Sequence, residues 1–369
     1  MKYFLVAGEA SGDLHAANLM KQVVAHDENP HFEYWGGDRM EAQGGVLHKH
    51  YRELAFMGFV QVLLNLRTIL GNIKKCKAQI LAFKPDVLVL IDYPGFNMRI
   101  AEFAKKEGIK VVYYVSPQIW AWKQNRVYKL KRDVDRMLCI LPFEKDFYRK
   151  FDVEVDFVGH PLIDAIAGRP KRPSESVKES LGLNPAKKVI ALLPGSRSQE
   201  IQKMLPVMVE AAQKFPDYQL VLAAAPSQST EFYKKVANLS SLHIVAGKTY
   251  DLFEVADAAM VTSGTATLEA ALFNVPEVVC YKSDPISVWI ARRLIKVKYI
   301  SLVNLIADKE VVKELIQSDL NPVSLERELK KCLENSIYFK EEFSAISKLL
   351  GGGGASLRAA QIVIKEAKG

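Results

Sequence analysis

Residues 258–269 read Ala-Ala-Met-Val-Thr-Ser-Gly-Thr-Ala-Thr-Leu-Glu. The apolar run Ala258 to Val261 predicts a buried strand, Ser263-Gly264-Thr265 breaks it, and Ala266 to Phe273 predicts a helix. A strand that ends in small residues just before a helix start aims backbone N–H groups and the positive end of a helix dipole at one spot. Such a spot favours an anion, by about 0.3–1 kcal/mol per charge and about 2 when partly buried. Ser263 and Thr265 add hydroxyl donors, and Gly264 lets a ligand approach the backbone. Glu269, early in the helix, is placed to accept from a ribose hydroxyl. An ordinary helix capped by Ser263 or Thr265 fits the same residues.

The same unit occurs twice earlier in the chain. Lys188 to Leu193 predicts a strand, Pro194 to Glu200 a turn holding Gly195 and Arg197, and Ile201 to Lys214 a helix. At the N-terminus, Tyr3 to Ala7 is a strand, residues 8–13 a turn and Leu14 to Ala25 a helix. The turn carries Glu9 and Asp13 but lacks the full GxGxxG pattern of a dinucleotide site. Asp86 to Ile91 is a further buried strand, so Asp92 falls at a strand C-terminus, the edge where open α/β sheets bind ligands. A carboxylate there suits general-base work. Alternating strands and helices predict an α/β protein of two doubly wound, Rossmann-like domains, their ligand edges facing across a cleft. The polar, proline-bearing stretch Gly168 to Ser180 reads as the linker. It bounds an N-terminal domain, 1–168, and a C-terminal one, 180–345. Gly351 to Gly354 reads as a flexible break before a last helix, 355–369.

At 369 residues the chain exceeds one typical core. Four cysteines, Cys76, Cys139, Cys280 and Cys332, stand far apart with no CxxC spacing, which argues against a zinc site or a disulfide framework and fits the cytoplasm. The N-terminus has no signal-peptide layout, and no apolar run is long enough to span a bilayer. Of the net charge of +8, a surplus of seven falls between Arg99 and Lys150, where 13 Lys and Arg face 6 Asp and Glu. Such a face suits phosphorylated or membrane partners; no nucleic-acid-binding motif accompanies it, so nucleic acid is not expected. Phe59, Val62, Leu63 and Leu66 belong to an apolar stretch, Phe56 to Leu70, that covers most of a helix circumference and runs into Arg67, Lys74, Lys75 and Lys77. That pattern fits a helix dipping into an anionic membrane surface, an acyl-chain pocket or a buried core helix. Trp120 and Trp122, two residues apart in one loop, fit contact with sugar or lipid.

Further blocks occur in order along the chain: Ala7-Gly-Glu-Ala-Ser-Gly-Asp13, Ile91-Asp92 with Pro94 and Phe96-Asn97, and Tyr114-Val-Ser-Pro-Gln-Ile-Trp-Ala-Trp122. Leu141-Pro-Phe-Glu144, Gly159-His160, Leu192-Leu-Pro-Gly-Ser-Arg197, Ser263 to Glu269, Tyr299-Ile-Ser-Leu302 and Asn304-Leu305 follow. With these blocks the chain resembles the lipid-A-disaccharide synthases, inverting glycosyltransferases of the B-type fold. The resemblance implies transfer of 2,3-diacylglucosamine from UDP-2,3-diacylglucosamine to the 6-hydroxyl of 2,3-diacylglucosamine 1-phosphate, with UDP released and no metal or other cofactor. It implies that Asp92 is the general base, with Glu9 and Asp13 at the same edge, and that Arg197, Ser263, Gly264, Thr265, Ala266, Glu269 and Asn304 bind the nucleotide. It makes Phe59, Val62, Leu63, Leu66, Trp120 and Trp122 an acceptor and membrane surface, places the protein peripherally on the inner membrane, and has the last helix cross back onto the first domain. A homodimer is compatible with the sequence. Gly95 stands where many members carry an aspartate, so a second carboxylate in that loop is missing. The rival reading is another UDP-sugar glycosyltransferase of the B-type fold, or a sugar-nucleotide epimerase, with a water-soluble substrate.

Overall fold

The computed structural model describes residues 1–54, 66–225, 228–284 and 297–369. Most of the stretch Phe56 to Leu70 lies outside them. The chain divides into two compact units: residues 1–167 with 350–369, and residues 168–349.

The first unit is built on a seven-stranded parallel sheet of β1 (Lys2–Ala7), β2 (His31–Gly36), β3 (Val46–His50), β4 (Val87–Ile91), β5 (Lys110–Tyr114), β6 (Arg136–Cys139) and β7 (Asp156–Phe157), in the order β3-β2-β1-β4-β5-β6-β7. β4 reads Val-Leu-Val-Leu-Ile with every side chain buried, the pattern of a strand covered on both faces. Strand order reverses between β1 and β4, where Ala7 pairs with Ile91. Gly8-Glu9 and Asp92-Tyr93 therefore leave the sheet side by side, in the crevice that a topological switch point opens.

The second unit repeats the design with β8 (Lys188–Leu193), β9 (Tyr218–Ala224), β10 (His243–Ala246), β11 (Ala258–Thr262), β12 (Glu277–Tyr281) and β13 (Lys313–Ile316), all parallel in the order β10-β9-β8-β11-β12-β13. Here the reversal lies between β8 and β11, with Leu193 paired to Val261. The turns after them, Pro194 to Arg197 and Ser263 to Thr265, again emerge together.

Some boundaries differ from expectation. The first helix starts at Ala10, not Leu14, so Glu9 is its N-cap residue and Asp13 lies in its first turn. The predicted linker is ordered: Ser174–Ser180 is helical, and Arg172 sets one guanidinium nitrogen 2.6 Å from Asp251 Oδ1 and 2.8 Å from Glu254 Oε2, all within the second unit. The glycine run before the last helix is tied down too. Gly351, Gly352 and Gly354 take positive φ, Asp164 accepts from the Gly354 and Ser356 N–H groups at 2.6 and 2.9 Å, and Arg358 Nε donates to Val158 O at 2.9 Å. The helix beyond, Ala355–Lys368, packs on the helix Ala10–His26 and buries Ala355, Ala359, Ala360, Val363 and Ile364.

Candidate active site

At the switch point of the first unit, Asp92 and Tyr93 both take left-handed backbone angles, φ +44° and +49°. For residues with a side chain each costs about 1–3 kcal/mol unless the surroundings enforce it. They do: the Tyr113 hydroxyl and the Asn97 amide donate to Asp92 O at 2.6 and 2.8 Å, and Asp92 N–H donates to Tyr114 O at 3.1 Å. Asn97 Nδ2 also reaches Ile91 O and Val6 O, stitching β4 to β1 just below the turn. Gly8 is required here, because a Cβ on it would lie 2.3 Å from the Tyr93 ring. The carboxyl of Asp92 is thus held beside Glu9. Burial first, then the like charge of Glu9, push it up to about 7 against the pull of the Tyr93 N–H. A carboxylate that exchanges its proton near neutrality is matched to general-base work.

At the switch point of the second unit, the helix Thr265–Leu272 opens at Gly264 with no side-chain cap, and Gly264 and Thr265 are exposed. Its first N–H groups have no partner within the helix. Ser263 hydroxyl donates to Ile300 O at 2.9 Å, which fixes the turn to the segment before the helix Leu302–Ala307. Beside it Gly195 takes φ +100°, and a Cβ there would lie 2.7 Å from Glu200 Oε2. Arg197, two-thirds exposed, touches Glu200 at 3.2 Å. Glu269 accepts from the Tyr250 hydroxyl at 2.8 Å; its burial raises the carboxyl pKa and that hydrogen bond opposes the rise. The arrangement offers an anion the N–H groups that open the helix, an exposed guanidinium and a carboxylate one turn further on.

The lipid-A-disaccharide synthetase family model matches residues 3–363. The lipid-A-disaccharide synthase of Trichlorobacter lovleyi is 40% identical over 98% of this chain and 97% of its own. The chain belongs to the lipid-A-disaccharide synthetase family. Among solved structures, the UDP-GlcNAc 2-epimerase of Neisseria meningitidis, bound to UDP-GlcNAc, superposes with a TM-score of 0.71 at 14% identity, covering 99% of this chain and 100% of that one. The glycosyltransferase of kitacinnamycin gives 0.67 at 17%, covering 99% of each. At those identities the likeness is one of fold, the two-domain parallel α/β architecture of B-type glycosyltransferases.

Within this family member, several residues stand where the sequence reading did not put them. Asp13 is buried, and its carboxylate accepts the N–H groups of Gly37, Arg39 and Met40 at 2.8, 3.1 and 3.2 Å. It caps the short helix Asp38–Glu41, a structural job that takes it out of the expected acid–base set. Asn304 is fully buried: its Oδ1 accepts from Val311 and Val312 N–H, and its Nδ2 donates to Val312 O and Glu314. With its side chain committed inward, it braces the Ser263 turn from behind, through Glu314 and Ile300. Trp120, expected on an outer surface, is buried edge-on against Phe143 at 4.9 Å. Trp122 is 43% exposed and carries the Lys123 and Arg126 charges over its ring at 4.4 and 5.6 Å. Phe59, Val62 and Leu63, and the side chain of Leu66, lie outside the described residues. Among the described residues no helix is long and apolar enough to cross a membrane.

His15 and His160 meet edge to face, centroids 6.4 Å apart; burial lowers both rings, to about 4 and about 3, the second also by its neighbour, so both are neutral. Glu314, which the sequence did not single out, accepts the N–H groups of Ile300 and Ser301 at 3.0 and 2.9 Å and so shapes the segment that holds Ser263. Tyr113 was equally unsignalled, since a strand-end tyrosine looks like core.

Proposed function

We propose that this chain transfers 2,3-diacylglucosamine from UDP-2,3-diacylglucosamine to the 6-hydroxyl of 2,3-diacylglucosamine 1-phosphate. The single observation that carries the chemistry is Asp92 at the first unit's switch point, strained, its backbone held by three hydrogen bonds and its carboxyl poised near neutrality beside Glu9. In this reading the acceptor oxygen attacks the donor's anomeric carbon from the face opposite UDP. The new C–O bond forms as the bond to the diphosphate breaks, the hydroxyl proton passes to Asp92, and UDP carries away the electron pair. The stereochemistry inverts and the product is the β-1′,6-linked disaccharide.

The second unit takes the nucleotide. The N–H groups opening the helix Thr265–Leu272, with the Ser263, Gly264, Thr265 and Ala266 turn and Arg197, meet the diphosphate, and Glu269 meets the ribose. The open N-terminus of that helix and the exposure of Arg197 support this assignment. The first unit takes the acceptor, with the stretch that holds Phe59, Val62, Leu63 and Leu66, together with Trp122, meeting an anionic membrane surface, so that the protein sits peripherally on the cytoplasmic face of the inner membrane. Each acyl methylene buried there contributes about 0.8 kcal/mol.

The test is UDP release from UDP-2,3-diacylglucosamine in neutral detergent without metal, with and without 2,3-diacylglucosamine 1-phosphate. Acceptor-dependent release with a disaccharide product is expected. Because epimerases share the fold, UDP-GlcNAc alone is the second sample; its conversion to a C2 epimer without acceptor would favour the rival.

A further inference from the structure

Beside Asp92 the first unit has a cavity of about 440 Å³. It begins at Tyr93 and runs along the helix Pro94–Lys106, which packs against both Leu66–Phe83 and Val127–Asp133. Its wall is of two kinds. Tyr93, Phe96 and Met98 are apolar, while Arg99, Arg126 and Lys129 bring three cations, from the helix Pro94–Lys106, the turn Gln124–Arg126 and the helix Val127–Asp133, to one hollow. Among the described residues none of the three pairs with a carboxylate. The lone acid in the lining, Glu102, lies within reach of Lys106 at 3.2 Å and Arg132 at 3.9 Å. The cavity thus keeps a surplus of positive charge, and Arg126 is oriented by its stacking on Trp122.

We infer that this cavity is the seat of the phosphomonoester of the acceptor sugar, and that it sets the acceptor's orientation toward Asp92. The inference deepens the transfer reading above and rests on it for the identity of the ligand. A phosphomonoester carries −1.5 to −2 charge near pH 7 and three strong acceptor oxygens. Two guanidinium forks and an ammonium match that charge and those oxygens. The lining of the hollow starts at Tyr93, the residue that follows Asp92, so the two belong to one turn of the first unit. The apolar floor fits the sugar's acylated side. Arg99 and Lys129 are exposed and none of the three cations is neutralised by a carboxylate among the described residues, so all three charges remain available to an anion.

The test uses the full chain and the variants Arg126→Gln, Lys129→Gln and Arg99→Gln, alone and combined, with Arg126→Lys as the conservative control. Soluble glucosamine 1-phosphate is the binding probe, read by phosphorus NMR. Wild-type protein is expected to broaden its resonance and the triple variant to bind at least about tenfold more weakly, while affinity for UDP holds. In neutral detergent micelles the acceptor KM rises by about tenfold or more in Arg126→Gln and is largely restored in Arg126→Lys. With an acceptor lacking the phosphate, wild type and variant have equal KM. A variant whose micellar KM is unchanged, but which no longer sediments with phosphatidylglycerol vesicles, would assign the cations to lipid headgroups and overturn the inference. Wild-type protein that binds glucosamine 1-phosphate through these cations yet forms no disaccharide would retire the transfer reading and keep the phosphate site. Absence of probe binding together with an unchanged KM would retire the site and keep the transfer.

Discussion

Asp92 and Glu9 stand at the C-terminal ends of adjacent strands, and the charge on one governs the proton on the other. Burial and Glu9 together hold the Asp92 carboxyl near 7, so the ionised base is scarce at pH 6 and plentiful at pH 8. The acid limb of kcat/KM is therefore expected to rise through about pH 7. Removing a like charge favours ionisation, so in Glu9→Gln the same limb moves to lower pH; a pH–rate profile of both proteins checks the sign. Asp92 was legible in the sequence because the buried run Val87–Ile91 ends on it, and a carboxylate at the end of a central strand has few structural excuses. The true job of Asp13 was not legible. Its partners, the N–H groups of Gly37, Arg39 and Met40, lie some two dozen residues away, and no local pattern announces a cap supplied from that distance.

The two turns of the second unit were readable as elements, because a strand, small residues and a helix start follow in order at Ala258–Leu272 and again at Lys188–Ala212. What braces them was not. Ser263 is fixed by Ile300, Ile300 by Glu314, and Glu314 is joined to Asn304. That chain spans β11, the segment before Leu302–Ala307 and β13, and only the folded sheet brings the three together. Asn304→Ala, which leaves the Val311 and Val312 N–H groups without their acceptor, is expected to cost about 3 kcal/mol of stability. It also weakens UDP binding, though no ligand touches the side chain. Thermal melts with calorimetric titration of UDP check both. A destabilised variant with unchanged UDP affinity would separate the brace from the turn.

For the whole molecule, sequence order and spatial order part company at the C-terminus. Residues 350–369 follow the second unit in the chain and belong to the first. Composition hinted only at a glycine break; Asp164 and Arg358, which close the joint, have ordinary neighbours in sequence. Ending the chain at Leu349 is therefore expected to lower the melting of the first unit, uncovering the helix Ala10–His26, and to leave the second unit and its UDP binding intact. Differential scanning calorimetry with and without UDP reads the two separately. In the proposed function the molecule divides its labour between two switch points of like design, one for proton transfer and one for the nucleotide. The most direct test of that division pairs kcat with the Kd for UDP in Asp92→Asn. Loss of a positioned base is expected to lower kcat by about 10²–10⁴ while the Kd stays within about twofold of wild type. A variant that keeps near-wild-type turnover, or that loses turnover and UDP affinity together, would contradict the account.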